Sequence, residues 1–79
     1  MEWISVKYRL PECNSQHGLI FESDDVLIYD FDDNEVRQDR RYKKYKDTPN
    51  GFELIEEQWW DGLNDYVSHW MPLPEPVSY

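Results

Sequence analysis

Cys13, His17 and His69 are the side chains of this sequence with the most reactive chemistry, and their spacing makes little use of it. Zinc is held by four ligands, three of them from protein at a catalytic centre, and three soft candidates at this spacing do not form such a set. A thiol nucleophile needs an oriented base and an oxyanion donor, and neither has a signature here. Cys13 reads as a surface or partly buried thiol, and His69, between Ser68 and Trp70, as a hydrogen-bonded structural residue. Asp30-Phe31-Asp32-Asp33-Asn34 begins like a calcium loop, with oxygen ligands at alternate positions. Glu35 then stands where that loop requires glycine and Arg41 where it requires a bidentate glutamate, so an acidic hairpin turn is the reading. The 17 carboxylates ensure that some lie close together, but acid/base catalysis by such a pair needs a pocket deep enough to shift its pKa values, which so small a domain rarely encloses. The expectation is a protein without a cofactor, a metal or an enzymatic site, with a small hydrolase as the least favoured alternative.

Those residues sit on a chain of 79 residues, long enough for one core and one domain spanning 1–79. With 16% Phe, Trp and Tyr, a few large rings must supply much of the buried surface. The expected fold is mainly β: a small antiparallel sheet of about four strands with an extended, proline-rich C-terminal tail. Met1 to Leu10 alternates and reads as extended until Pro11 stops it; Leu19-Ile20-Phe21 fits a strand or a helical turn equally. Val26 to Phe31, β-branched and aromatic between acidic turn clusters, is the clearest strand. Asp32-Asp33-Asn34 turns it into a second, highly charged strand over Glu35 to Tyr45. Thr48-Pro49-Asn50-Gly51 is the next turn, and Phe52 to Trp60 a third strand in competition with a helical turn, since Leu54, Ile55 and Trp59 also share one helical face. Tyr66 to Met71 is the last strand, before Pro72, Pro74 and Pro76.

Charge is unevenly placed. Six of the eight basic residues fall between Arg37 and Lys46, flanked by acidic segments of seven carboxylates each, Glu22 to Glu35 and Asp47 onward. Adjacent antiparallel strands of opposite sign would gain a few tenths to about 1 kcal/mol per cross-strand pair. The net charge of −9 disfavours direct binding to nucleic acid or an anionic membrane. The lone Cys13 excludes an internal disulfide, and neither a signal-peptide pattern nor a spanning apolar run is present, so the cytoplasm is the expected compartment.

Two motifs stand at opposite ends: Trp3-Ile4-Ser5-Val6 running to Arg9-Leu10-Pro11-Glu12, and His69-Trp70-Met71-Pro72-Leu73-Pro74-Glu75-Pro76. The pair resembles a phage and prophage family, domain-of-unknown-function family 551. Members open with a WISV-type segment and an RLPE turn, continue with a VLVY-like strand, for which Val26-Leu27-Ile28-Tyr29 stands here, and end in THWMPLPEP, with Ser68 here in place of the threonine. Arg37 to Trp60 shows no family pattern. The resemblance implies a phage or prophage origin and a fold whose termini meet, and it implies no reaction. Trp3 and Trp70 are expected to pack together, with Leu10, Pro11, His69, Pro72 and Pro74 completing a structural motif.

The functional expectation is a phage-encoded accessory protein that binds and occludes a host protein with a basic surface, such as a component of antiviral defence or a nucleic-acid-binding protein whose ligand it imitates. The residues expected to carry this are Asp24, Asp25, Asp30, Asp32, Asp33, Glu35, Glu53, Glu56, Glu57, Trp59 and Asp61. A self-assembling scaffold module is the alternative, and exposed rings point to a homo-oligomer.

Overall fold

The computed structural model describes residues 2–62 and 64–74. It is all β, and its eight strands are short: β1 (Ile4–Ser5), β2 (Ser15–His17), β3 (Ile20–Glu22), β4 (Val26–Asp30), β5 (Glu35–Asp39), β6 (Arg41–Thr48), β7 (Gly51–Trp59) and β8 (Val67–Pro72). They form two antiparallel four-stranded sheets. Sheet A has the order β1-β8-β4-β5 and sheet B the order β2-β3-β6-β7. The chain is flat, 47 × 36 × 21 Å.

Sheet A is built on the Val26 strand. Val26, Ile28 and Asp30 point inward and are buried, whereas Leu27 and Tyr29 point outward, as the two-residue period of a strand requires. Ile28 faces Trp70 in β8 and Arg37 in β5. β1 closes the far side, with Ile4 opposite Trp70 and Ser5 opposite His69. The termini therefore meet. Trp3 and Trp70 nevertheless do not share a face: Trp70 is in register with Ile4, so Trp3, one step along, lies on the other side of the sheet. Its ring meets Tyr29 edge-on at 6.4 Å, while Trp70 is buried and its indole N–H donates to the Arg9 carbonyl.

The charged segment 35–45 divides at Arg40, since Asp39 ends β5 in sheet A and Arg41 opens β6 in sheet B. Ser23, buried beside that crossing, holds it on both sides: its N–H donates to the Arg41 carbonyl at 2.8 Å and its hydroxyl accepts from the Arg41 N–H at 2.8 Å. The strand count exceeds expectation for this reason, and because the polar stretch 15–17 pairs with Ile20–Glu22 as a short hairpin. Residues 53–59 are strand rather than helix, and Trp60 begins the turn that follows. An irregularity between Lys44 and Tyr45 leaves Ile55 without a partner of its own, and this extra residue puts Leu54 and Ile55 out of the simple alternation. Lys43, Lys44 and Lys46 face Glu57, Glu56 and Glu53, the cross-strand arrangement the charge pattern implies. Lys46 Nζ reaches Glu53 at 3.3 Å.

The core is Val26, Ile28, Val67 and Trp70 of sheet A together with Trp59, delivered from the end of β7 in sheet B. Ile4, Val6 and Leu10 pack against it. Tyr8, expected on that same face, is 81% exposed because the chain turns at Ser5, whose carbonyl accepts the Tyr8 and Arg9 N–H groups. Trp59 is 1% exposed and joins the two sheets through one side chain, with the Arg41 guanidinium over its ring at 5.4 Å.

Candidate acidic groove

Seven carboxylates among the described residues are engaged by a basic or tyrosine side chain, Glu53 of β7 among them. Arg37 gathers Asp33 at 3.0 Å, Glu35 at 2.9 Å and Asp30 at 3.4 Å, and Glu35, ahead of the other two, pushes the guanidinium's pKa up. Glu22 meets Arg40, Glu57 meets Arg41, and Glu56 accepts from the Tyr42 hydroxyl and the Gln58 amide. Two of the predicted surface residues are not on the surface at all. Asp30 is 2% exposed and its Oδ1 accepts the N–H groups of Asp32 and Asp33 at 3.0 and 3.2 Å; it folds the turn rather than facing a partner. Trp59 is buried because its ring completes the core.

The carboxylates free of ion pairs among the described residues include Glu12, Asp24, Asp25, Asp39 and Asp61, which line two recesses. The largest recess, about 560 Å³, has an apolar lining from Pro11, Val26, Trp70, Pro72, Leu73 and Pro74 and an acidic lip of Glu12, Asp24 and Asp25. Asp25 also lines a second recess of about 270 Å³ with Gln38, Asp39, Arg40, Trp60 and Asp61. The two share that aspartate, and the larger is the acidic groove. Its walls follow from the fold: the segment entering β4 supplies Asp24 and Asp25, the end of β8 supplies Pro72, and the antiparallel pairing of Val26 with Pro72 brings them together. Gln38 donates to Asp25 at 3.1 Å, and Arg40 stacks on Trp60 at 4.7 Å.

Of the predicted set, Asp24 and Asp25 line the larger recess and Asp25 and Asp61 the smaller, while Asp32, Asp33 and Glu35 cluster at the β4–β5 turn and Glu53, Glu56 and Glu57 stand along β7. The structural motif converges too, since Pro11, Trp70, Pro72 and Pro74 line the same recess. Glu12 and Asp39 were missed. Glu12 lies inside the opening motif and was legible there; Asp39 required knowing that the chain leaves sheet A at the next residue.

Asp39 is 6% exposed, and burial pushes its carboxyl above the ordinary value of 3.8, with the Asp61 charge adding to the shift against the N–H bonds from Arg40 and Asp61. A folded-state pKa above the unfolded one means that the folded chain holds the proton longer. Asp39 therefore costs stability increasingly as pH rises from about 4 through the folded value. Asp39→Asn is expected to melt higher than the parent at pH 7, with the gain vanishing near pH 4; thermal melts across that range check it.

The reactive side chains stay apart. Burial raises the Cys13 pKa despite Lys43 and Arg41 nearby, disfavouring the thiolate, and its thiol lies 3.5 Å from the Arg41 carbonyl. His17 is paired loosely with Glu22 at 3.9 Å, and His69 contacts the Ser68 hydroxyl at 2.9 Å. Among the described residues no three His, Cys, Asp or Glu side chains are grouped to hold a metal, and no helix is long and apolar enough to cross a membrane.

Fold and groove together define a small two-sheet β domain with an acidic, apolar-floored recess where its terminal motifs meet. The chain belongs to a family of proteins of unknown function, DUF551, whose profile matches residues 2–78. The match runs through Arg37 to Trp60, the segment in which the sequence had shown no family pattern. No curated protein and no solved structure matches the chain.

Proposed function

We propose that this domain is a non-enzymatic binding module that docks a partner protein through a basic, partly apolar surface. The supporting observation is the groove: three carboxylates, Glu12, Asp24 and Asp25, have no ion pair among the described residues and border an apolar floor. Uncompensated charge beside an apolar floor suits an incoming Lys or Arg whose stem covers the floor while its head meets the lip. For a phage or prophage product the natural partner is a host protein, and occlusion of a surface otherwise used for nucleic acid is the action that follows.

Neutralising the lip tests this. Glu12→Gln, Asp24→Asn and Asp25→Asn together are expected to weaken capture of a host protein by about ten- to a hundredfold, at ~0.5–1 kcal/mol per exposed charge. Asp32→Asn with Asp33→Asn, on the β4–β5 turn, leaves it unchanged. Retention that persists in the triple variant, or that is indifferent to salt, sinks the groove reading.

A further inference from the structure

Three of the four tryptophans carry an arginine on a ring face. Arg9 lies over Trp70 at 5.8 Å, Arg40 over Trp60 at 4.7 Å and Arg41 over Trp59 at 5.4 Å. Trp3 has no such cation among the described residues. It is 41% exposed and meets Tyr29 with the two ring planes 69° apart. His69, in register with Tyr29 on the neighbouring strand, stands beside them, and the three rings line a cleft of about 280 Å³.

We propose that this cleft binds a small quaternary ammonium cation, such as free choline, against its rings. Aromatic faces carry partial negative charge, tryptophan's most of all, and two rings set close to perpendicular make two walls of a corner for one ion. The net charge of −9 raises the local concentration of any cation. Hydrogen bonding decides which kind. The Tyr29 hydroxyl donates to Asn34 Oδ1 at 2.7 Å, His69 Nδ1 contacts the Ser68 hydroxyl at 2.9 Å, and the lining contains no carboxylate. A primary ammonium brings three N–H donors and would give up water for few acceptors there, whereas a quaternary ammonium has no donor to satisfy. A phosphate attached to the cation, as in a choline lipid, would meet no basic side chain in the lining. The free cation is therefore the occupant.

The cleft falls just under the ~300–1,000 Å³ of pockets for drug-sized ligands, a size for a single headgroup. Its rings lie on the side of sheet A opposite Trp70, which lines the acidic groove, so the two recesses are separate. With two or three rings contributing at a partly exposed position, the expected Kd is on the order of 10 mM.

Proton–nitrogen correlation spectra of the full chain, titrated with choline chloride in exchange for NaCl so that ionic strength stays constant, test the proposal. The Trp3 indole signal, identified as the one missing from Trp3→Phe, is expected to shift and saturate while those of Trp59, Trp60 and Trp70 stay in place. The uncharged analogue of choline, with carbon in place of nitrogen, and methylammonium are each expected to bind at least about fivefold more weakly. The His69 ring signals should respond to choline in the parent and in Trp60→Phe, and not in Trp3→Ala, whose folding is checked by near-ultraviolet circular dichroism. Phosphatidylcholine vesicles should not retain the protein. No saturable shift up to about 100 mM choline, equal binding of either comparator, a His69 response that persists in Trp3→Ala, or retention by vesicles without a response to choline overturns the proposal. The Glu12→Gln, Asp24→Asn, Asp25→Asn variant keeps the choline response, so this reading and the groove reading fail separately.

Discussion

Trp59→Ala is expected to leave the domain largely unfolded at 37 °C. Removing a buried tryptophan costs about 3–5 kcal/mol when the cavity cannot collapse. A chain of 79 residues has a total stability near the low end of the ~5–15 kcal/mol range, because little of its surface can be buried. The position makes the loss worse than the area alone suggests. Four of the five buried apolar residues come from sheet A, and Trp59 is the sheet B residue among them. Its loss removes the apolar joint between the sheets and uncovers Arg41, whose guanidinium lies over the ring and whose pKa burial already lowers. Far-ultraviolet circular dichroism during a thermal melt measures the effect. Trp59→Phe, which keeps an aromatic ring in the joint, should retain a cooperative transition.

Asp30→Ala should lower the melting temperature by roughly 10–25 °C. The buried carboxylate accepts two backbone N–H groups in the β4–β5 turn and faces Arg37 Nε at 3.4 Å. Truncation leaves those donors and a partly desolvated guanidinium without their acceptor, at about 2–4 kcal/mol. Each kcal/mol shifts the midpoint by ~4–8 °C in a domain of this size. Asn34, which closes the turn at φ 53°, tolerates the left-handed conformation better than most residues, so the turn has its own local support and Asp30→Asn, which keeps an acceptor, should cost about half as much. A charge reversal at Asp30 would therefore report folding rather than partner binding. Equilibrium unfolding in urea separates the two variants.

The β class was legible because it depends on local signals: β-branched and aromatic residues in Val26–Asp30, and turn chemistry at Asp32–Asn34 and Thr48–Gly51. The strand at 53–59 was legible in type but not in period, since the extra residue at Ile55 imitates helical spacing. The division into two sheets was not legible. Nothing in Asp39-Arg40-Arg41 marks the point where the chain changes sheet; Ser23, sixteen residues earlier, anchors it from outside the strand. The acidic surface was legible as a total and not as a place, because which carboxylates remain unpaired depends on where Arg37, Arg40 and Arg41 point. Asp30 and Trp59 show the same limit. An aspartate in a turn cluster and a tryptophan just after Glu56-Glu57-Gln58 both read as surface, and in both cases long-range packing made the decision. The terminal motifs, read as mutual packing, proved instead to be two walls of one recess with Trp3 on the other side.

The longest unpaired margin of the molecule is the outer side of β7, which ends sheet B over nine residues. A margin that long, with Phe52, Leu54 and Ile55 exposed, would ordinarily recruit further chains into a growing ribbon. The irregularity at Ile55 interrupts the row of backbone donors and acceptors, and Glu53, Glu56 and Glu57 would confront their own copies in a parallel, in-register added strand. These four residues therefore disfavour growth of a ribbon from this margin.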